Sequence, residues 1–559
     1  MSYLYFYSIF VVLTCLLISC STGIQPSIAS DTLYRYCPLT IQESGAVQPP
    51  AAESSPSDPE DRLIVVISDL HMGIGKDSAE KWYNEEDFRW QKEFELFLKE
   101  IDREGKGATD LILNGDTFEL WQSITNDCQY EDKNLGCTES EALARMRKVI
   151  QAHTPDLKAL GRFAESHNNR IILLAGNHDV ALQFPEVRNA AIGTITTSKD
   201  RVIFNPSGYW LSADQRIYVE HGHQIGREVN CFVNWPSPFI TEGGKSYLRR
   251  PWGEQFVQKY YNDYENKYSI LDNIASEQEG VRYGLEAEGP AGTAKAAGNF
   301  LKFFLFQVSW DQFYASLGDK GEPAQWDVKL IREQEGDHFI IESLSKGDPF
   351  RVAAEKALKE GQLTLSIKDL TDDEIVMLCD KRAALKKMEN THKKTDENDE
   401  NIITECPRIG SSLGAAAQNV LRSRNAVYGE HLRNTYELLK LKGKVQRHFD
   451  IFIYGHTHRR DTGFYPLKGN WNPRVINSGA WQRVVESEQL NQIVKSGNLS
   501  SDEVLSKLEL EKLPPCYTVV MIKPYQNEPD PRLSYWRKDK QGGWGFSDSC
   551  DWQPKVSSK

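Results

Sequence analysis

The sequence is short of positive charge. Its 66 Lys and Arg stand against 79 Asp and Glu, a formal net charge of −13, which disfavours a protein that grips nucleic acid by neutralising many phosphates. With 40% hydrophobic and 26% charged residues, it lacks the composition of a disordered chain and of a polytopic membrane protein alike. None of its 10 cysteines has the paired CxxC spacing of a structural zinc site. No internal repeat is present. Gly73-Ile74-Gly75-Lys76 is too short for a phosphate-binding P-loop. Gly410-Ser411-Ser412-Leu413-Gly414 spells the G-x-S-x-G of serine hydrolases, but Glu405-Cys406-Pro407-Arg408 stands where the preceding apolar strand should be.

What is there begins with an uncharged apolar run from Tyr3 to Ile18, short for a membrane span and suited to the core of an export signal. It ends in Leu17-Ile18-Ser19-Cys20, which resembles the lipobox of bacterial lipoproteins. That resemblance implies a signal peptide over 1–19 and acylation of Cys20, tethering an exported chain to the outer membrane or a periplasmic membrane face. An ordinary cleaved signal or an uncleaved anchor are the competing readings, because no Lys or Arg precedes the apolar run. Beyond Cys15 and Cys20, the remaining cysteines are even in number and read as up to four disulfides in an oxidising compartment. Cys128–Cys137 and Cys516–Cys550 are the sequence-near pairings, although spacing alone does not decide connectivity.

Residues 20–61, rich in Ser, Pro, Ala and Glu, read as a flexible tether. Then come apolar runs of strand length, each closed by polar residues: Leu63–Ile67, Leu111–Leu113, Ile171–Ala175, Ile217–Val219, Ile451–Tyr454, Val475–Ile476 and Tyr517–Ile522. Helix-like stretches such as Asp87–Ile101 and Glu139–Ser166 alternate with them, the pattern of an α/β domain whose strands are buried on both faces. The alternation predicts a domain in two parts, 62–240 and 445–540, split by an insertion over 241–444 and followed by a tail over 541–559. Much of the insertion reads as helical, including Glu254–Ile274, Ala417–Leu441 and the aromatic Asn299–Leu317, expected to be a cap helix. Lys381–Asn401 is charge-dense and expected to be an exposed loop.

Five polar clusters sit at the carboxyl ends of predicted strands, where ligands bind in open α/β sheets. They are Asp69-Leu70-His71, Asn114-Gly115-Asp116-Thr117-Phe118-Glu119, Gly176-Asn177-His178-Asp179, Glu220-His221-Gly222-His223 and Gly455-His456-Thr457-His458. Six of the 12 histidines fall in them. Carboxylate, imidazole and amide oxygen are the donors of a transition-metal site. Two ions about 3.5–4 Å apart need a shared anionic ligand. Gly115, Gly176, Gly222 and Gly455 are expected to supply the tight turns.

Together these motifs resemble the calcineurin-like metallophosphoesterase superfamily over about 62–240 and 445–540. The resemblance implies an αββα sandwich carrying the large, mainly helical cap. It implies two divalent transition-metal ions, Mn first, with Fe, Zn or Co as alternatives. One would be held by Asp69, His71, Asp116 and His458, the other by Asp116, Asn177, His221 and His456, with Asp116 bridging. His178 takes the catalytic place, assisting attack of metal-activated hydroxide on phosphorus, and Asp179 is expected to hold its imidazole. Gly115–Trp121 and Asn477–Trp481 are also similar to the branch of lipid A pathway pyrophosphatases that cleave UDP-diacylglucosamine. Export and the long insertion point this chain to a different phosphorylated small molecule or lipid.

For other residues the readings stay open. Glu119 is either a support for the site or a helix-start carboxylate, and His223 either approaches the site or stabilises a turn. Arg459 and Arg460 are candidate phosphate clamps or solvated cations. Trp121, Trp481 and Arg483 line the pocket or pack. A non-catalytic lipoprotein using the scaffold for binding is the rival class, and it should have lost ligands that are all present here.

Overall fold

The computed structural model describes residues 61–122, 135–198, 200–225, 234–251, 253–254, 257–275, 424–464, 471–497, 501–539 and 541–550, with Cys128, Cys231, Phe232, Leu467 and parts of 327–382. The signal segment with Cys20, nearly all of the tether, Asn299–Leu317, nearly all of Lys381–Asn401 and Gly410–Gly414 lie outside the described residues.

The strands run in chain order as β1 (Leu63–Ile67), β2 (Thr109–Asn114), β3 (Leu135–Thr138), β4 (Arg170–Leu174), β5 (Val202–Phe204), β6 (Tyr209–Leu211), β7 (Ile217–Glu220) and β8 (Phe239–Glu242). They continue as β9 (Lys245–Arg249), β10 (Ile451–Tyr454), β11 (Arg460–Phe464), β12 (Arg474–Ser478), β13 (Cys516–Ile522), β14 (Pro531–Lys538) and β15 (Trp544–Ser547). One sheet has the order β15-β14-β13-β1-β2-β4-β5, a second β11-β12-β10-β7-β6, and a small third sheet β3-β9-β8. In the first, β1, β2, β4 and β5 are parallel, with Val65 opposite Leu111 and Leu111 opposite Ile171. In the second, β7, β10 and β12 are parallel, with Phe452 between Tyr218 and Val475.

The two large sheets pack face to face. Ile64, Val66, Ile112, Ile172 and Leu174 of the first meet Ile217, Val219, Ile451, Ile453 and Ile476 of the second in one buried cluster. Each such side chain contributes about 2 kcal/mol by leaving water. Helices cover the outer faces. Helix α1 (Gln91–Glu104) buries Phe94, Phe97, Leu98 and Ile101, one helical stripe, with Phe94 and Phe97 against Trp481 and Phe97 against Trp536. Helix Arg424–Leu441 sets Leu432, Tyr436 and Leu439 on the outer face of the second sheet, with Tyr218, Phe452 and Val475. The result is the expected αββα sandwich.

Several expectations need correction. The stretch read as one helix from Glu139 breaks at His153 into α2 (Glu139–Ala152) and α3 (Thr154–Glu165), because Pro155 cannot donate to a continuing helix. A capping box between Thr138 and Glu141 starts α2. The insertion opens with the β8–β9 hairpin, which pairs with β3 and is not helical. Helix Arg424–Leu441 is an outer layer of the sandwich and no part of a cap, since its apolar face has a sheet to cover. Glu254–Ile274 is helical only in part, with Asn262–Lys267 its last helical segment. Trp544–Ser547, assigned to the tail, pairs with β14 and extends the first sheet. Cys128–Cys137 and Cys516–Cys550 are disulfides, and Cys231 and Cys379 are also disulfide-bonded.

Candidate metal centre

The five clusters meet at one edge of the sandwich. The Asp69 N–H donates to the Gly115 carbonyl at 3.2 Å, joining the ends of β1 and β2, and the Gly455 N–H donates to the His221 carbonyl at 2.7 Å, joining β10 to β7. Ser68 and Ser478 share a hydroxyl hydrogen bond of 2.7 Å that ties the two sheets together beneath the site. The chain turns sharply at the expected ligands themselves. Asp69 (φ 56), His71 (φ 50), Asp116 (φ 49), His456 (φ 72) and His458 (φ 54) all lie in the left-handed region. Of the glycines expected to make these turns, Gly115 and Gly222 have positive φ. Gly176 and Gly455 serve differently: a Cβ would strike the Asp116 carboxylate at the first and Ser68 and Asp69 at the second.

Two triads of ligand atoms converge, Asp69/His71/His458 and Asp116/His221/His456, each within 4.8 Å. One oxygen links them. Asp116 Oδ2 lies 2.9 Å from His221 Nε2 and 4.0 Å from His71 Nε2. Asn177 Oδ1 is 3.1 Å from His221 Nε2. His71 Nε2 and His458 Nε2 face one another at 3.2 Å. The seven expected ligands are therefore together.

The donor set fits cations. His221 Nδ1 lies 2.8 Å from the Asn114 carbonyl, which fixes the proton on Nδ1 and leaves the Nε2 lone pair facing two oxygen acceptors. Such an array is satisfied by a metal ion or by a second proton. With no metal, burial lowers the His221 pKa but Asp116 outweighs it and pushes it up to about 9. Asp116 feels the reverse: burial raises it, and His221 and His178 draw it well below the usual carboxylate range. Asp69 is likewise raised by burial, yet His458 and His221 bring it below its ordinary value. His456, by contrast, is pulled down to about 3 by burial and the nearby His221, which leaves it neutral and able to ligate.

Glu119 supports the site, and no helix starts at it among the described residues. Its Oε2 lies 2.7 Å from His71 Nδ1 and 2.6 Å from His178 Nδ1. Its Oε1 accepts the Trp121 and Gln122 N–H groups. Burial alone would raise this carboxyl, but His178 and His71 hold it far below its usual value. Glu119 thereby takes the place expected of Asp179. The Asp179 carboxylate accepts backbone N–H bonds from Gly176, Asp116, Thr117 and Phe118, so it clamps the β2 and β4 loops together and does not hold His178. Burial, then Asp116, pushes the Asp179 pKa up to about 7.

His178 sits at the rim. Its N–H donates to Asp116 Oδ1 at 2.8 Å, and its ring lies 4.4 Å from that of Trp121. Burial lowers its pKa, but Glu119 and Asp116 prevail and push it up to about 10, so it is an imidazolium at neutral pH. His223 is buried with neither ring nitrogen hydrogen-bonded to a described residue, its ring edge-on to Trp235 at 4.4 Å. Arg460 lies over the Tyr535 ring at 4.1 Å and Arg459 is exposed, placements that give no support to a phosphate clamp. Trp481 is core, stacked on Tyr517, and Arg483 lies on Trp90. The Gly73 and Gly75 N–H groups are taken by Glu86, which rules that turn out as a phosphate cradle.

Comparison with curated proteins finds no match. Residues 62–291 match the calcineurin-like phosphoesterase family, and His456 and His458, which β10 brings to the same cluster, lie outside the matched span. Over that span the chain is similar to the calcineurin-like phosphoesterases.

Proposed function

We propose that this chain is a dinuclear metal-dependent hydrolase of phosphate esters, whether monoester, diester or pyrophosphate. Asp69, His71, Asp116 and His458 would hold one cation, and Asp116, Asn177, His221 and His456 the other. The observation that carries this reading is the single Asp116 oxygen facing histidines of both triads. When bound, the ions supply charge neutralisation of a phosphoryl oxygen and acidification of the attacking water.

The chain's own groups do the rest. His178 carries a proton at neutral pH and can deliver it from Nε2 to a leaving oxygen, since its Nδ1 is occupied by Glu119. Trp121 fixes the ring plane from one side. Asp179 holds the backbone from which Asp116 and Asn177 project. Nitrogen and oxygen donors without thiolate support Mn, Fe, Zn or Co.

The proposal extends to place. The lipobox-like Cys20 and the paired cysteines support export and lipid anchoring at a bacterial membrane, with a phosphorylated small molecule or lipid as substrate. Among the described residues no helix is long and apolar enough to cross a membrane. Loss of membrane association in Cys20→Ser tests the anchor.

The activity is tested by metal analysis together with a panel of chromogenic phosphomonoesters, phosphodiesters and pyrophosphates. Two transition-metal ions per chain and turnover that Asp116→Asn abolishes are expected. A protein that stays metal-free and inert after loading with each candidate metal refutes the reading in favour of a binding role.

A further inference from the structure

A second acidic cluster lies apart from the seven ligands. Asp87, Glu265 and Asp272 bring one carboxylate oxygen each within 4.8 Å of one another. Asp87 and Glu265 are 0% exposed and Asp272 is 7% exposed. Among the described residues no Lys, Arg or His forms an ion pair with any of the three, an arrangement like charges do not adopt without compensation.

The surroundings point to a ligand independently of the acids. Gln482 donates from Nε2 to Asp87 Oδ2 at 3.3 Å, and Gln122 donates to Asp272 Oδ2 at 3.4 Å. Both amides are buried, at 0% and 4% exposure, and each leaves its Oε1 without a hydrogen-bond partner among the described residues. Both oxygens of Glu265 and Oδ1 of Asp87 also have no hydrogen-bond partner among the described residues. Tyr261 donates its hydroxyl to Asp272 Oδ1 at 3.3 Å. The three carboxylates offer only hard oxygen donors, with no imidazole or thiolate among them, and the two amides would add theirs on turning over, a set that suits an ion taking six to eight oxygens at flexible geometry.

We propose that Asp87, Glu265 and Asp272 form a calcium site that rivets the start of the inserted stretch to the phosphoesterase sandwich. Asp87 precedes α1 of the sandwich, and Gln482 follows β12. Glu265 and Asp272 belong to the inserted stretch, which crosses back onto the sandwich immediately afterwards, where the Ala275 N–H donates to the Val485 carbonyl at 2.9 Å. The ion ties this stretch to the sandwich from which it departs after β9.

The test uses the full chain with its transition metals loaded and terbium as the calcium probe, because the Tyr261 hydroxyl on Asp272 can sensitise terbium emission. One terbium ion per chain, displaced by calcium while the transition-metal content stays constant, is expected. Glu265→Gln and Asp272→Asn should each weaken terbium binding by about tenfold or more. Should either variant fail to fold, the wild-type melting temperature decides: it should fall on adding a calcium-selective chelator and recover with calcium. No sensitised emission, emission undiminished in folded variants, or a melting temperature indifferent to calcium overturns the site. The last outcome would mean that protons neutralise the cluster.

Discussion

Replacing Glu119 by Gln isolates the one carboxylate that serves both His71 and His178. The side chain keeps its shape, and its oxygen can still accept the Trp121 and Gln122 N–H groups. The new NH2 then faces both imidazole Nδ1 atoms, 2.7 and 2.6 Å away, and a donor there requires each Nδ1 to accept. His71 must move its proton to Nε2, the atom aimed at the triad, and supporting carboxylates of this type are worth about 10–100-fold in metal affinity. His178 loses the partner that burial could not cancel, so its pKa falls from about 10 toward or below its ordinary 6.5. At pH 8 a value near 6.5 leaves about 3% imidazolium, a loss of about 30-fold in any step needing that proton. The assay is metal affinity by competition with a chromophoric chelator, with kcat followed from pH 6 to 10. Weaker metal binding and an alkaline limb moved to lower pH are expected. Unchanged affinity together with an unmoved limb refutes the reasoning.

Other perturbations test separate parts of the structure. His153 is buried between Glu86 at 3.3 Å and Asp156 at 3.0 Å; burial lowers its pKa, but Glu86 and Asp156 push it up to about 9. A raised histidine stabilises fully below about pH 6.5 and ceases to as pH rises through 9, so the unfolding free energy from urea titration should fall across that window by about 3 kcal/mol, and His153→Gln should flatten the dependence. Gly176→Ala drives a Cβ into Asp116 and should abolish metal binding and turnover, whereas Gly193→Ala, whose Cβ meets nothing within 4 Å, should keep both and gain about 0.5–1 kcal/mol of helix stability in a melting assay. Cys550→Ser opens the disulfide to Cys516 across a separation of 34 residues and should cost about 2–4 kcal/mol, read as a lower denaturant midpoint with hydrogen exchange increasing first at β15.

The central strands were plain in the sequence because burial on both faces leaves an unbroken apolar run, as in Leu63–Ile67 and Ile451–Tyr454, each recovered residue for residue. Strands at or next to a sheet edge escaped for the opposite reason. Arg460–Phe464 and Pro531–Lys538 mix charged and apolar residues because one side of each faces water, so they resemble loops. The ligands were legible since each closes an apolar run. Their supports were not. Glu119 and Asp179 differ only in the partners the loops bring to them, and the spacing Gly-Asp-x-x-Glu was the one signal available for Glu119. Nothing in spacing joins Asp87 to Glu265 and Asp272, which belong together only after the inserted stretch has folded back.

The left-handed backbone at Asp69, His71, Asp116, His456 and His458 sets stability against function at those positions. Glycine at any of them would relieve about 1 kcal/mol of strain while deleting a donor. Thermostability screening without an activity check will therefore enrich dead variants at this rim first. Libraries built on this scaffold should leave these codons untouched.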